Sequence, residues 1–401
     1  MHEQHDEWPG ITRRKFLKLA SILTAAGAVP LLARANDARA AEPDAPLRIG
    51  YLPITDATAL LIAYQRGLFQ KQGLKVDKPR MFRGWDQVVE AFLSGRVNVV
   101  HMLSPVTVWA RYGSHSPSKV VAWNHINGSA ATVAVNKHID DITDLGGTTF
   151  AIPFWYSIHN VVLQFLMRNK GLEPIKEGTP TARQVKLVVM APSDMLPGLA
   201  AGRISGYIVA EPFCAMAELR KIGKILRFTG DVWKEHACCV VWMHEKDLDE
   251  RPEWAQKVVN GIVEAQVWVR GHRAETARIL SRENAERFTP FSPAPLERVL
   301  VPDPALRAQY IKTGAIQHTH WDEPRIGFQP WPYPSYTETL VEMLRDTVVA
   351  GQNGFLKTLD PKFAARDLVD DRFVKKAILA AGGMSTFGQP EDFTRTEVVE
   401  A

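Results

Sequence analysis

Residues 47–74 read L-R-I-G-Y-L-P-I-T-D-A-T-A-L-L-I-A-Y-Q-R-G-L-F-Q-K-Q-G-L, and the fold follows from this run. Leu47, Ile49 and Tyr51 alternate with other residues, as one face of a strand does. The alternation breaks at Pro53 and Asp56, after which Leu60, Leu61, Tyr64 and Leu68 recur at helical spacing. The order is strand, polar turn, helix. Residues 82–105, F-R-G-W-D-Q-V-V-E-A-F-L-S-G-R-V-N-V-V-H-M-L-S-P, extend it. A turn at Gly84 and Trp85 opens a helix with Val88, Val89, Phe92 and Leu93 on one face, and residues 97–100 form a buried strand that runs into His101. Ligands of open α/β sheets sit beyond the carboxyl ends of strands, where turns and helix starts converge. Asp56, Trp85 and His101 are therefore candidate ligand-binding residues. The competing readings are a helix cap for Asp56 and a packed aromatic for Trp85.

The unit recurs down the chain. Strand-like residues 119–123 lead into a polar turn with His125 and Asn127, and residues 129–135 and 148–153 read as two further strands. Phe154-Trp155-Tyr156-Ser157-Ile158-His159-Asn160 then feeds a helix. Ser157 is placed to cap it, which leaves His159 in a first turn whose free N–H groups suit a small oxyanion. A histidine satisfied by a neighbouring carbonyl is the plainer reading. Residues 185–190 and 206–210 are strands, the second stopped sharply by Glu211-Pro212. Glu211 thus stands at a strand's carboxyl end, like His101. Residues 222–229 and the stretch after Cys239 complete a mostly parallel α/β pattern. Beyond residue 252 long helices take over, interrupted at 327–336, where alternating prolines require an ordered aromatic loop.

Size and composition limit the function classes. With 401 residues and 46% hydrophobic content, the chain has material for about two domains. Arg13 and Arg14 precede a modest apolar run, and Ala38-Arg39-Ala40 has the form of a cleavage site. Residues 1–40 are expected to be a twin-arginine signal peptide directing export to the periplasm. Six basic and four acidic residues there account for half of the formal charge of +4, so nothing points to nucleic acid. No later apolar stretch approaches eighteen residues. Cys214, Cys238 and Cys239 are an odd set, read as buried free thiols. His236 is a further candidate ligand-binding residue; with Cys238 and Cys239 it would make a soft metal site, but neighbouring strand residues face opposite ways, so no metal is assigned. No dinucleotide, zinc-protease or nucleophile-elbow motif is present, and no cofactor is expected.

The G-Y-L-P-I-T-D and F-R-G-W-D blocks, I-P-F-W-Y-S-I-H-N from Ile152 and A-E-P-F from Ala210 resemble the periplasmic solute-binding proteins of ABC importers. The similarity is to the nitrate/bicarbonate-binding branch of a superfamily that also holds sulfonate, taurine and thiamine-pyrimidine precursor binders. It implies a type II periplasmic binding protein fold, two α/β lobes joined by a hinge with the ligand cleft between them. Lobe one would be 46–133 plus 237–401, and lobe two 134–236. It further implies a monomer that captures a small polar or anionic solute without catalysis and delivers it to an inner-membrane ABC permease. Trp85, His125 or Asn127, and His159 match anion-surrounding positions of the family, with Glu211 on the opposite strand end and Trp155 in an aromatic wall. The chain departs from the pattern at His236-Ala237-Cys238-Cys239, where a positive group is missing. An unpaired buried anion is costly, so this departure weakens a nitrate assignment. The alternatives are a thiamine-pyrimidine-like ligand, bound or made, and a periplasmic enzyme using His159 and Glu211 as acid and base.

Overall fold

The computed structural model describes residues 45–318, 321, 325–351 and 353–401. The expected export signal lies outside them. Two sheets carry the architecture. The first has the order β2-β1-β3-β12-β4, formed by Arg80–Met81, Ile49–Tyr51, Val99–Leu103, Cys239–His244 and Ser118–Trp123. The second has the order β11-β6-β10-β7-β9-β8, formed by Gly223–Phe228, Ser129–Ala134, Gly206–Ala210, Thr149–Ile152, Gln184–Val189 and Glu173–Ile175. A two-stranded link joins β5, Ile126–Asn127, to β13, Ile326–Gly327.

Strands β1, β2 and β3 run parallel, as do β7, β8, β9 and β10. The exceptions follow from where the chain changes sheets. β6 starts at the level where β10 ends, with Ser129 opposite Ala210, and runs antiparallel to it. β12 likewise starts where β3 ends, with Cys239 opposite Leu103. A strand arriving from the other sheet begins at the facing edge and must run away from it. The carboxyl ends of β3 and β10 and the amino ends of β6 and β12 therefore meet at one seam. That seam holds every crossover residue from 124 to 128 and from 236 to 238.

The helix Thr58–Gln65 has its first six residues buried and packs against the long helix Pro252–Gly271 and the helix Arg273–Leu280. The aromatic loop packs on the edge of the first sheet. Trp123 N–H donates to the Pro330 carbonyl at 2.8 Å, and Tyr333 and Tyr336 meet the Trp123 ring edge-on.

The expected division of the chain needs two corrections. β6 lies whole in the second sheet, so residues 129–133 leave the first lobe. Residues 293–318 also attach to the second lobe. The helix Pro293–Leu300 packs on Phe213–Leu219, Arg298 pairs with Glu218 at 3.0 Å, and Phe228 N–H donates to the Ala315 carbonyl. Hydrophobic texture alone does not say which sheet a late helix covers.

Candidate functional site

Each strand end and crossover delivers a polar side chain to the seam. Asp56 comes from the 3-10 turn Thr55–Ala57 after β1, and His101 from β3. His125 and Asn127 come from the first crossover, and Ser129 from the start of β6. His159 stands in the first turn of the helix Ile158–Asn169, whose cap is Ser157, its Oγ accepting from Asn160 N–H at 3.1 Å. His236 and Cys238 lie in the return crossover, and Cys239 opens β12. All ten of these side chains, Ser157 included, are buried. Thr55 N–H donates to the Glu211 carbonyl at 2.9 Å, which joins the two lobes directly.

The centre of the cluster is a chain of short contacts. Asp56 Oδ2 lies 3.0 Å from His125 Nε2, and the Cys239 thiol donates to the same oxygen at 3.3 Å. Ser129 Oγ is 2.9 Å from His159 Nε2, and Cys238 Sγ is 3.7 Å from that nitrogen. Leu52 N–H donates to His101 Nε2 at 2.8 Å, which puts the His101 proton on Nδ1. Trp85 tilts over the His101 ring at 5.3 Å.

Burial sets the charge states. It raises the Asp56 carboxyl to about 6, against the attraction of His125. Burial also works against a charged His125, but the Asp56 carboxylate outweighs it and lifts the imidazole to about 10. Between those values the two are an ion pair. Burial, with repulsion from His125, lowers His101 to about 3, and burial lowers His236 to about 3. Both are neutral imidazoles at physiological pH. The Cys238 thiol is pulled well below its ordinary value despite burial, through the Cys239 hydrogen bond and the His159 and His125 rings, whereas burial pushes Cys239 up.

Many of these groups find no partner within the chain. Among the described residues, Asp56 Oδ1, His101 Nδ1, His125 Nδ1, His159 Nδ1, both His236 nitrogens and both Asn127 amide atoms are buried without a hydrogen bond. The Tyr156 hydroxyl and the Asn124 amide share that state. Each such group costs about 1–3 kcal/mol when left unpaired, so their concentration makes the seam the candidate site. Asn127 stands at φ 60°, and a Cβ on Gly230 would come within 2.6 Å of its Oδ1. A bare glycine there leaves the amide its place.

The structure brings Asp56, Trp85, His101, His125, Asn127, His159 and His236 to the seam. It places two other expected residues differently. Glu211 Oε1 is held by Arg325 at 2.5 Å and Oε2 accepts from Ala215 N–H at 3.0 Å, while Arg325 also pairs with Glu218 at 2.9 Å. Its carboxylate is a brace under the strand end, with no free oxygen for a ligand. The half-buried Trp155 offers its carbonyl to Asn160, and among the described residues no hydrogen bond or ring contact ties its side chain to the cluster. Its buried neighbour Tyr156 packs on Trp109 at 6.0 Å. Ser129 carries no signal of its own in the sequence, and Cys238 and Cys239, considered there only as a metal set with His236, also reach the cluster. Cys238 precedes β12 by one position, so strand alternation does not govern it and both thiols reach the cluster. A hollow of about 330 Å³ beside Lys119, Glu245 and Arg372 lies on the outer face, apart from the seam.

Residues 40–282 match the model of the NMT1-like family. The chain is 26% identical over 240 residues to the nitrate/nitrite binding protein NrtA of Nostoc sp. PCC 7120, covering 55% of this chain and 53% of that protein. It thus spans about half the length of that relative. The periplasmic nitrate-binding protein NrtA from Synechocystis PCC 6803 superposes with a TM-score of 0.71 at 20% identity, covering 89% of this chain and 94% of the other. A ligand-binding component of an ABC-type import system from Staphylococcus aureus, solved with zinc bound, gives 0.62 at 22% identity over 82% and 98%. These likenesses establish the fold, that of the type II periplasmic binding proteins.

Proposed function

The chain belongs to the NMT1-like family, and from that premise we propose that it is the solute-binding component of an ABC importer. It captures one small polar solute in the seam between its lobes, without converting it, and presents the closed form to a membrane permease. The observation that carries this reading is the set of buried, unpartnered polar atoms contributed from both sides of the seam. A ligand reaching them satisfies atoms of Asp56 and His101 on one lobe and His159 on the other, so its binding and lobe closure are one event.

The electrostatics narrow the solute. His125 is committed to Asp56, and Arg325 lies between Glu211 and Glu218. Nitrate and nitrite, the solutes named for the Nostoc relative, would be held here by hydrogen bonds from His101 Nδ1–H, Asn127 and Tyr156, without an uncommitted cation. Bicarbonate, sulfonates and taurine meet the same donors. The enzyme alternative loses its acid–base partner, because Glu211 is fixed by Arg325 and Ala215. The monomer acts in the periplasm, sent there by the Arg13-Arg14 signal. A double Arg→Lys change at those two positions is expected to keep it out of the periplasmic fraction, and undiminished export would reject that route.

Calorimetry and melting against nitrate, nitrite, bicarbonate, taurine and an alkanesulfonate test the capture reading. One of them should bind with unit stoichiometry, raise the melting temperature and shrink the radius of gyration. Consumption of the solute, or none of the five shifting melting or compactness, contradicts it.

A further inference from the structure

Within the seam, Asp56, His125, Cys238 and Cys239 each offer a ligand atom, and these atoms all lie within 4.8 Å of one another. From this juxtaposition we infer that the seam binds a thiophilic transition-metal ion through Asp56, His125, Cys238 and Cys239, so that a soft cation accompanies the captured solute. The inference rests on the proposed solute-binding role and names the chemical class that the site accepts.

The geometry and the donor chemistry agree. Ligands at about 2.0–2.3 Å from a tetrahedral ion stand about 3.3–3.8 Å apart. The Asp56 to His125 and Asp56 to Cys239 separations, 3.0 and 3.3 Å, are already near that scale. Two sulfurs, one imidazole nitrogen and one carboxylate oxygen form a set that selects zinc or copper over magnesium or calcium. Adjacent cysteines in a regular strand diverge, and only the crossover ahead of β12 lets this pair converge.

The surroundings leave the ligand residues room to reorient. Asp56 Oδ1 and His125 Nδ1 are buried without a partner, as are both nitrogens of His236. His125 ligates through Nε2 after giving up the proton it directs at Asp56, and that proton leaves to solvent with any still held on the two sulfurs as the metal enters. His159, 3.7 Å from Cys238, donates or accepts toward the sulfur and orients it. Cys214 takes no part: its thiol donates to the Ala130 and Val209 carbonyls at 3.4 Å.

The test is cobalt(II) titration of the full-length protein after chelator treatment, read by absorption and by metal analysis, followed by competition with zinc(II). The expected result is one equivalent of cobalt with near-ultraviolet thiolate bands and tetrahedral visible bands, displaced by zinc. Cys238→Ser and Cys239→Ser should each weaken binding at least tenfold and remove a share of the thiolate band, while Cys214→Ser leaves both unchanged. The wild-type spectrum reports ligation even where a serine variant fails to fold. A folded protein that binds no stoichiometric cobalt or zinc, or one whose spectrum lacks thiolate bands, overturns the inference. The anion panel separates this from the parent reading: solute binding without metal ends the metal site alone, and neither solute nor metal binding ends both.

Discussion

A Glu211→Gln change leaves the Arg325 guanidinium buried with one of its two carboxylates gone. Removing one partner of a buried ion pair costs about 3–5 kcal/mol, and the remaining Glu218 contact puts the expected loss at the lower end, measured by denaturant unfolding. His236→Gln is the opposite case. Its ring nitrogens bond nothing within the chain among the described residues, so stability should change by under about 1 kcal/mol. Solute affinity should fall at least tenfold, about 1.4 kcal/mol, in calorimetry. Equal stability losses in the two variants would contradict this division between brace and binding residue. The difference between them was only half legible in the sequence. A strand's carboxyl end marked His101 and Glu211 alike, yet Arg325 lies more than a hundred positions from Glu211. Nothing local announces which charged group arrives to occupy a carboxylate. Cys238 and Cys239 converge for a related reason, because a residue one place outside a strand does not follow its alternation.

Elements, by contrast, were written plainly wherever a short period and a turn residue coincided. Ser157 ahead of an apolar helical face is the N-cap of Ile158–Asn169, the helix that carries His159. Ser157→Ala should cost about 1 kcal/mol by losing the bond to the Asn160 amide, and affinity should drop as the first turn frays. What escaped the sequence was the sheet to which β6 belongs, since pairing partners are set by tertiary packing and not by propensity. The late helices are anchored by polar ties of the same long-range kind. Asp367 on Pro361–Leu368 accepts from Arg111 Nη2 at 2.7 Å and from Tyr112 at 2.9 Å. The Arg111 hydrogen bond, helped by Tyr112, holds the carboxyl at about 2 in the folded protein, against 3.8 ordinarily. Its stabilisation is therefore present above pH 3.8 and lost as pH falls toward about 2. Asp367→Asn should be less stable at neutral pH and lose less stability across that window. An unchanged acid-unfolding curve would show that the tie contributes nothing.

At the scale of the molecule, two of the chain crossings between the lobes also supply polar groups to the seam. His125 and Asn127 belong to one crossover, and His236 and Cys238 to the other, so hinge and site cannot be mutated independently. The Thr55 bond to the Glu211 carbonyl and the Gln164 bonds to the Val348 backbone close the seam from either side. These contacts hold the cluster away from solvent, and a hinge motion that parted them would expose it to solute. The most direct check is a crystal structure of the full-length protein isolated without stripping its ligand. Density for a bound species, not water, is expected to touch Asp56 or His125 on one side and His159 on the other. A seam filled by water alone, with a ligand bound at a different surface, would contradict it.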